Sequence, residues 1–180
     1  MSLIYEPAED SYLLLEVLEK EIPLLLEDNT ELKVLEIGSG SGIQLKTLLH
    51  LGVKKENIFG CDINPDAILH CQNLGFNVIN SDLFSDVSGK FDLIIFNPPY
   101  LPIEEGEDKD SQLATTSGIK GSKLINRFLK KADSFLTSNG EIFLLISSLT
   151  KGVRWRNYQK ELLTSKKLFF EGLEVWKIKP

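Results

Sequence analysis

Four consecutive residues, Asn97-Pro98-Pro99-Tyr100, have the types and spacing to do chemistry on a flat nitrogen. They follow an apolar run, Phe91 to Phe96, that reads as a buried strand. An Asn at the end of such a strand brings a donor and an acceptor that both need partners. Two prolines then fix their own φ, and the first pushes Asn97 toward an extended conformation. The product is a stiff corner that presents one amide, one carbonyl and one aromatic face. The Asn97 side-chain oxygen and the Pro98 carbonyl can each accept a hydrogen of a planar –NH2 group, with Tyr100 against its plane. A planar nitrogen attacks poorly because its lone pair is delocalised. Holding both hydrogens to one side favours the geometry of attack, so the transition state gains more than the ground state.

A second constellation lies upstream. Gly38-Ser39-Gly40-Ser41-Gly42 follows an apolar stretch and precedes a helical pattern, so backbone can approach a ligand closely there. The dinucleotide fingerprint is G-x-G-x-x-G, with the helix start receiving a pyrophosphate. Here the third glycine comes one residue early, and Lys46 is the nearest basic residue. That favours a nucleoside without phosphates. Asp62, closing the second strand, is the expected acceptor for two ribose hydroxyls. Asp82, after the third, can accept from an adenine amine, with Leu83 or Phe84 against the ring. Glu36, just before the glycines, is expected to orient the loop or a cationic amino group. His50 and His70 fall on predicted helices as surface residues, and no Ser-His-Asp or Cys-His set is apparent.

These residues are placed by alternating elements. The pattern predicts a helix with Glu9 and Asp10 at its start and Leu13, Leu14, Leu15, Val17, Leu18 and Ile22 as its apolar stripe, then strands at Lys33–Ile37, Asn57–Cys61, Phe76–Ile79, Phe91–Phe96 and Glu141–Ser147. Between them fall helices at Ile43–Leu51, Pro65–Leu74 and Ser122–Leu136, the last stopped by Ser138-Asn139-Gly140. A further helix is expected at Arg154–Leu163, followed by a hairpin of Leu168–Glu171 and Leu173–Ile178 turning at Gly172. Strand–helix alternation implies parallel pairing with right-handed crossovers, and the closely spaced last pair must be antiparallel. The expectation is one α/β domain over residues 1–180, residues 1–27 forming a helical segment packed on it. Its sheet is doubly wound, seven-stranded and mostly parallel, with an antiparallel C-terminal hairpin. Ligands bind such sheets beyond the carboxyl ends of the strands.

Composition narrows the class. With 180 residues and 42% hydrophobic, the chain can bury a sizeable core. No apolar run approaches the ~20 residues of a membrane span, and the start has no signal-peptide pattern. Cys61 and Cys71 fall in apolar contexts and suit a reducing, cytoplasmic setting; they make no zinc site, and no metal is expected. The net charge of −6 divides unevenly: residues 1–110 carry 7 basic and 21 acidic side chains, residues 111–180 carry 13 and 5. The acidic balance argues against sequence-blind DNA binding.

Val34 to Gly42 resembles the first motif of the class I S-adenosylmethionine-dependent methyltransferases, which have a Rossmann-like fold. Asn97-Pro98-Pro99-Tyr100 resembles the motif of members that methylate planar nitrogens, and Tyr5-Glu6-Pro7-Ala8-Glu9-Asp10-Ser11 is similar to the N-terminal signature of the archaeal and eukaryotic branch of the HemK-like protein glutamine methyltransferases. The resemblance implies S-adenosyl-L-methionine as cofactor and the glutamine N5 of the Gly-Gly-Gln motif of a class I release factor as target. Asn97, Pro98, Pro99 and Tyr100 would bind that amide. Glu36, Gly38, Gly40, Gly42, Asp62, Ile63, Asp82, Leu83 and Asn97 would contact the cofactor, with Tyr5, Glu9, Asp10 and Ser11 near its methionine end. Ser117-Gly118-Ile119-Lys120-Gly121 partly matches a glycine cluster of the family, Ser117 standing where glycine is usual. The resemblance also implies a small zinc-binding activator protein on an exposed sheet edge, expected near Phe76–Ile79. N6-adenine methylation of DNA or RNA is the alternative, since the same corner could grip an adenine amine.

Overall fold

The computed structural model describes residues 4–99 and 122–180. Tyr100, the acidic run at residues 104–110 and the Ser117–Gly121 cluster lie outside the described residues. Within them, four α-helices and two short 3-10 turns (Lys55–Asn57 and Ala132–Phe135) accompany seven strands: α1 (Glu9–Asp28), α2 (Ile43–His50), α3 (Pro65–Asn73) and α4 (Lys123–Lys131), with β1 (Val34–Ile37), β2 (Ile58–Asp62), β3 (Asn77–Asn80), β4 (Phe91–Phe96), β5 (Leu136–Ser147), β6 (Gln159–Lys167) and β7 (Gly172–Lys179). The strands form one sheet in the order β3-β2-β1-β4-β5-β7-β6. The first five strands in that order pair in parallel, and β7 is antiparallel to both neighbours.

Strand alternation sorts side chains onto two faces. Val34, Leu93, Ile95, Phe143 and Leu145 pack with Leu14, Leu18 and Ile22 of α1, Leu45 and Leu48 of α2, and Cys71 of α3. Leu35, Ile37, Ile94, Phe96, Ile142 and Leu144 point the other way, onto Ile125, Phe128 and Leu129 of α4. The buried side chains of α1 recur with helical period, at Leu13, Leu14, Val17, Leu18 and Ile22, which fixes its inner face. Each such fully buried apolar side chain contributes about 1.5–3 kcal/mol, so α1 is held on the sheet by its own stripe.

Two elements differ from expectation. Strand β5 begins at Leu136 and runs through Ser138-Asn139-Gly140, which the sequence pattern assigned to a helix and its stop. A Cβ on Gly140 would lie 2.8 Å from the Phe91 carbonyl oxygen and 3.0 Å from the Thr137 nitrogen. That glycine permits close strand approach where the β4–β5 register shifts, between Phe91 and Leu93. No helix forms at residues 154–163. Arg156 takes a φ of 56°, which ends any helix there. Residues Gln159–Lys167 instead pair along β7 from Gln159↔Lys179 to Lys167↔Gly172. The hairpin turns at Leu168–Glu171, one step before Gly172.

Candidate active site

The register brings the polar motifs to one level. Ile37 pairs with Cys61 on one side and Phe96 on the other, and Asp62 pairs with Asn80. Gly38, Asp62, Ser81 and Asn97 therefore emerge side by side at the carboxyl edge. The chain leaves β1 toward β2 and later returns to β4 on the other side of β1. The glycine loop and Asn97 thus flank the switch point, where an α/β sheet opens a crevice.

The glycine loop is shaped by backbone and by Asp62. Gly38, Gly40 and Gly42 have φ of 73°, 47° and 71°, the left-handed region that other L residues enter at a cost. The Gly38 amide donates to the Cys61 carbonyl at 2.8 Å and the Gly42 amide to the Ser39 carbonyl at 2.7 Å. Asp62 accepts from the Gly40 amide at 2.9 Å through Oδ2 and from the Asn64 amide at 2.8 Å through Oδ1. A carboxylate has lone pairs beyond these two bonds, so Asp62 can hold the loop and still accept from a ligand. Gly42 is packed against α3, where an added Cβ would stand 2.9 Å from the Cys71 sulfur. By contrast a Cβ on Gly38 or Gly40 meets nothing within 4 Å. These two glycines line open space, as a ligand cradle requires.

Glu36, at the floor of this cradle, is 2% exposed, and its Oε2 has no hydrogen-bond partner among the described residues. Burial, and secondarily the nearby Asp62 charge, hold its carboxyl well above the usual carboxylate range. An unpaired buried carboxyl is, once ionised, a ready acceptor for a cationic group. Cys61 and Cys71 are buried, and burial pushes both thiols up to about 12, so neither is a nucleophile at neutral pH.

Asp82 lies at the surface, and its Oδ2 pairs with the Arg127 guanidinium of α4 at 2.6 Å. Ile63 is 55% exposed beside Asp62. Leu83, at φ 55°, is nearly buried, and Phe84 is turned into the core, stacked on Phe128 and Phe135 at centroid distances of 5.3 and 4.5 Å. Of the two side chains expected against the adenine ring, Phe84 is thereby committed to packing. His50 is exposed and His70 half-buried, both away from these groups on α2 and α3.

The reaction corner is organised from α1, through a contact that sequence spacing did not specify. Asn97 Nδ2 donates to Asp10 Oδ2 at 3.0 Å, across 87 residues of chain. Asp10 is 5% exposed, and its Oδ1 accepts from the Tyr5 hydroxyl at 2.9 Å and the Ser11 amide at 2.7 Å. A carboxylate accepts only, so the –NH2 of Asn97 must face it and the amide orientation is fixed chemically. Asn97 Oδ1 is then turned away, buried and without a partner among the described residues. The site thus contains an orphaned acceptor beside the buried Pro98. Burial, and then the Asp10 charge, push the Tyr5 hydroxyl well above its ordinary value, so it remains a proton donor. Glu9 points elsewhere, to an ion pair with Lys166 of β6. The Pro-Ala-Glu-Asp signature was the sequence signal for this support, because it places Asp10 in the first turn of α1.

Among the described residues no cluster of three or more His, Cys, Asp or Glu could hold a metal, and no helix is long and apolar enough to cross a membrane. A mostly parallel seven-stranded sheet, a glycine cradle with acids after β2 and β3, and Asn-Pro-Pro after β4 define a class I methyltransferase that takes S-adenosylmethionine. The chain belongs to the methyltransferase small domain family, whose model matches residues 8–162. It is 43% identical over 155 residues to a provisionally named protein N5-glutamine methyltransferase of Methanocaldococcus jannaschii, covering 82% of this chain and 74% of that one. It is 30% identical over 145 residues to a release factor glutamine methyltransferase of Lactococcus lactis, covering 71% of this chain and 53% of that one. A 16S rRNA methyltransferase of T. thermophilus, solved in complex with AdoMet and guanosine, shares the fold at a TM-score of 0.60 and 19% identity, over 96% of this chain and 43% of that one.

Proposed function

We propose that this protein methylates the side-chain amide nitrogen (N5) of the glutamine in the Gly-Gly-Gln motif of a class I translation release factor. The observation that carries the proposal is the orphaned, buried Oδ1 of Asn97, with Nδ2 of the same amide tied to Asp10. A free acceptor held on a rigid proline corner fits one hydrogen of a primary amide, and the Pro98 carbonyl is available in chemistry for the other. The names of the two relatives support glutamine as the group that fills it.

Bound S-adenosylmethionine supplies a methyl group on a positively charged sulfur. The residues of this chain bind and orient. Gly38 and Gly40 would give the cofactor backbone room, Asp62 and Asp82 would accept from its ribose and adenine edges, and Ile63 and Leu83 would lie beside its ring. Glu36 and Ser11 face the methionine end, where the Glu36 carboxylate neutralises the amino group. Asn97 and Pro98 draw the two amide hydrogens to one side, so the nitrogen lone pair is directed at the cradle. Tyr100 and Pro99 are assigned to the wall around the amide by sequence. Positioning supplies most of the rate: the new C–N bond forms as the S–CH3 bond breaks, the thioether would leave neutral, and the proton shed by the methylated nitrogen would pass to solvent.

The β3 edge is our assignment for a small activator protein, zinc-binding by resemblance. Its support is that β3 ends the sheet and that Ile79 on it is 37% exposed. A cytoplasmic location follows from the proposed substrate. The test is transfer of labelled methyl from S-adenosylmethionine to purified release factor and, in parallel, to DNA and RNA. Label on the Gly-Gly-Gln glutamine is expected, and label in nucleic acid alone would overturn the proposal in favour of adenine methylation.

A further inference from the structure

The β6–β7 hairpin presents two adjacent aromatic side chains to solvent, Phe169 at 100% and Phe170 at 92% exposure, ring centroids 6.4 Å apart. They are the two residues of a tight loop closed by the Leu168 amide donating to the Glu171 carbonyl at 2.7 Å. Two-residue hairpin loops favour Asn, Asp or Gly, because such turns call for positive φ. Among the described residues only Leu83 and Arg156 have positive φ outside glycine, so the Phe pair meets no special backbone demand. Nor does it pack on the rest of the described residues. The backbone tolerates them, but two large apolar side chains stand bare in solvent, which marks a position kept for an outside contact.

The loop is firmly based although its tip is bare. Ser147 Oγ at the end of β5 donates to Glu171 at 2.5 Å, Gly172 N donates to Ser148 Oγ at 2.8 Å, and Ser148 N donates to the Gly172 carbonyl at 2.7 Å. Ser147 pairs with Leu173, so the loop stands at the carboxyl edge of the sheet, the same edge that carries Asn97. Helix α1 packs on β6 and β7, and Lys166 near the loop pairs with Glu9, the residue before the Asp10 carboxylate that orients Asn97. The knob therefore sits on the rim of the reaction crevice. Beside it lies exposed Lys167, while the acid of the loop, Glu171, is bound by Ser147 Oγ, so the charge left open at the tip is positive.

We propose that Phe169 and Phe170 form a docking knob for the protein substrate, inserting into an apolar hollow with an acidic border on the release factor while its glutamine enters the site. This rests on the function proposed above. A rigid aromatic pair on a pinned loop loses little conformational freedom on binding, which is what interface anchors require. The knob engages folded protein outside the methylated motif, so it acts on capture rather than on transfer.

The test compares Phe169→Ala/Phe170→Ala with the parent on two substrates: the intact class I release factor of the source organism and a short peptide carrying Gly-Gly-Gln. For the intact factor, KM is expected to rise about tenfold or more, the equivalent of roughly 1.4 kcal/mol or more, with little change in kcat; for the peptide, kcat/KM should hold within about twofold. Phe169→Leu/Phe170→Leu should recover part of the loss, and thermal midpoints should not fall, since neither ring packs in the fold. Equal losses on both substrates, or no loss on either, would overturn the docking role while leaving the methylation reading in place. A parent that methylates neither substrate defeats that reading and the docking role with it.

Discussion

Replacing Asp10 tests whether the reaction corner is set from α1. Among the described residues Asp10 accepts from Tyr5 Oη at 2.9 Å, the Ser11 amide at 2.7 Å, Ser11 Oγ at 3.5 Å and Asn97 Nδ2 at 3.0 Å; of these, Asn97 carries the effect on the substrate. A hydrogen bond to a charged group contributes about 1.5–3 kcal/mol, and without it the Asn97 amide can rotate so that Oδ1 no longer faces the crevice. At roughly 1.4 kcal/mol per tenfold, Asp10→Ala should lower kcat by about ten- to a hundredfold. Asp10→Ala also removes a first-turn charge, at about 0.3–1 kcal/mol, and leaves the Tyr5, Ser11 and Asn97 donors without their acceptor, at about 1–3 kcal/mol for each that stays buried, so a denaturant melt accompanies the kinetics. Asp10→Asn keeps an acceptor but no charge, and Tyr5→Phe removes one remote donor, so both should fall short of the alanine loss. Single-turnover transfer from labelled S-adenosylmethionine, alongside calorimetry of cofactor binding, separates the effects. Cofactor affinity should change less than turnover in every case. If Asp10→Ala kept kcat within about twofold of the parent while Asn97→Ala abolished transfer, the orienting role of Asp10 is wrong.

Other consequences follow from the same geometry. Asn97→Ala should abolish methyl transfer while leaving cofactor binding nearly intact, because it removes the acceptor and leaves a substrate donor unpaired; retained turnover within a few-fold would contradict the clamp. The Glu36 carboxyl is raised above its unfolded value, so its contribution to the stability of the cofactor-free protein is present below the unfolded carboxylate pKa and is lost as pH rises through the folded one. Its ionised form is the one that receives the amino group, so S-adenosylmethionine should bind more tightly as pH rises over that window, and Glu36→Gln should flatten the dependence measured by calorimetry. A Cβ at Gly60 would lie 2.3 Å from Ser39 Oγ and 3.0 Å from Val78 Cγ2, so Gly60→Ala should cost about 1–3 kcal/mol in a denaturant melt and displace the glycine loop. Under the proposed role of Asp82, Arg127 would compete with the adenine amine for its carboxylate; as an exposed pair it is worth about 0–1 kcal/mol, so Arg127→Ala should tighten cofactor binding by up to about fivefold at low salt, and weaker binding would refute the competition.

Much of the site was legible because each polar motif closes an apolar strand whose period and length are unambiguous. Val34–Ile37, Ile58–Asp62 and Phe91–Phe96 are short runs buried on both faces, and their ends deliver Gly38, Asp62 and Asn97 to one edge. Strand β6 was not legible. Gln159-Lys160-Glu161-Leu162-Leu163 has good helix formers, and an exposed edge strand shows no alternation to oppose them; pairing with β7 decides the outcome. Gly140 misled for a different reason, since a glycine needed for close strand approach looks in sequence like a helix stop. The Asp10–Asn97 bond lay beyond spacing because it joins residues 87 apart whose encounter depends on α1 packing beside β4. Ser81 and Asp82 read as a turn with a ligand-facing acid, but the partner on α4, Arg127, could be found only once α4 was placed against the sheet.

The amide-clamp assignment is tested most directly by mapping the methyl group. Purified release factor, labelled S-adenosylmethionine and either the parent or Asn97→Ala would be combined, and the product digested and sequenced by mass spectrometry. The parent should place one methyl on the glutamine of Gly-Gly-Gln, and Asn97→Ala should place none while still binding the cofactor. Methyl at that glutamine with the variant, or methyl from the parent in nucleic acid alone, would contradict the clamp in the first case and the glutamine substrate in the second.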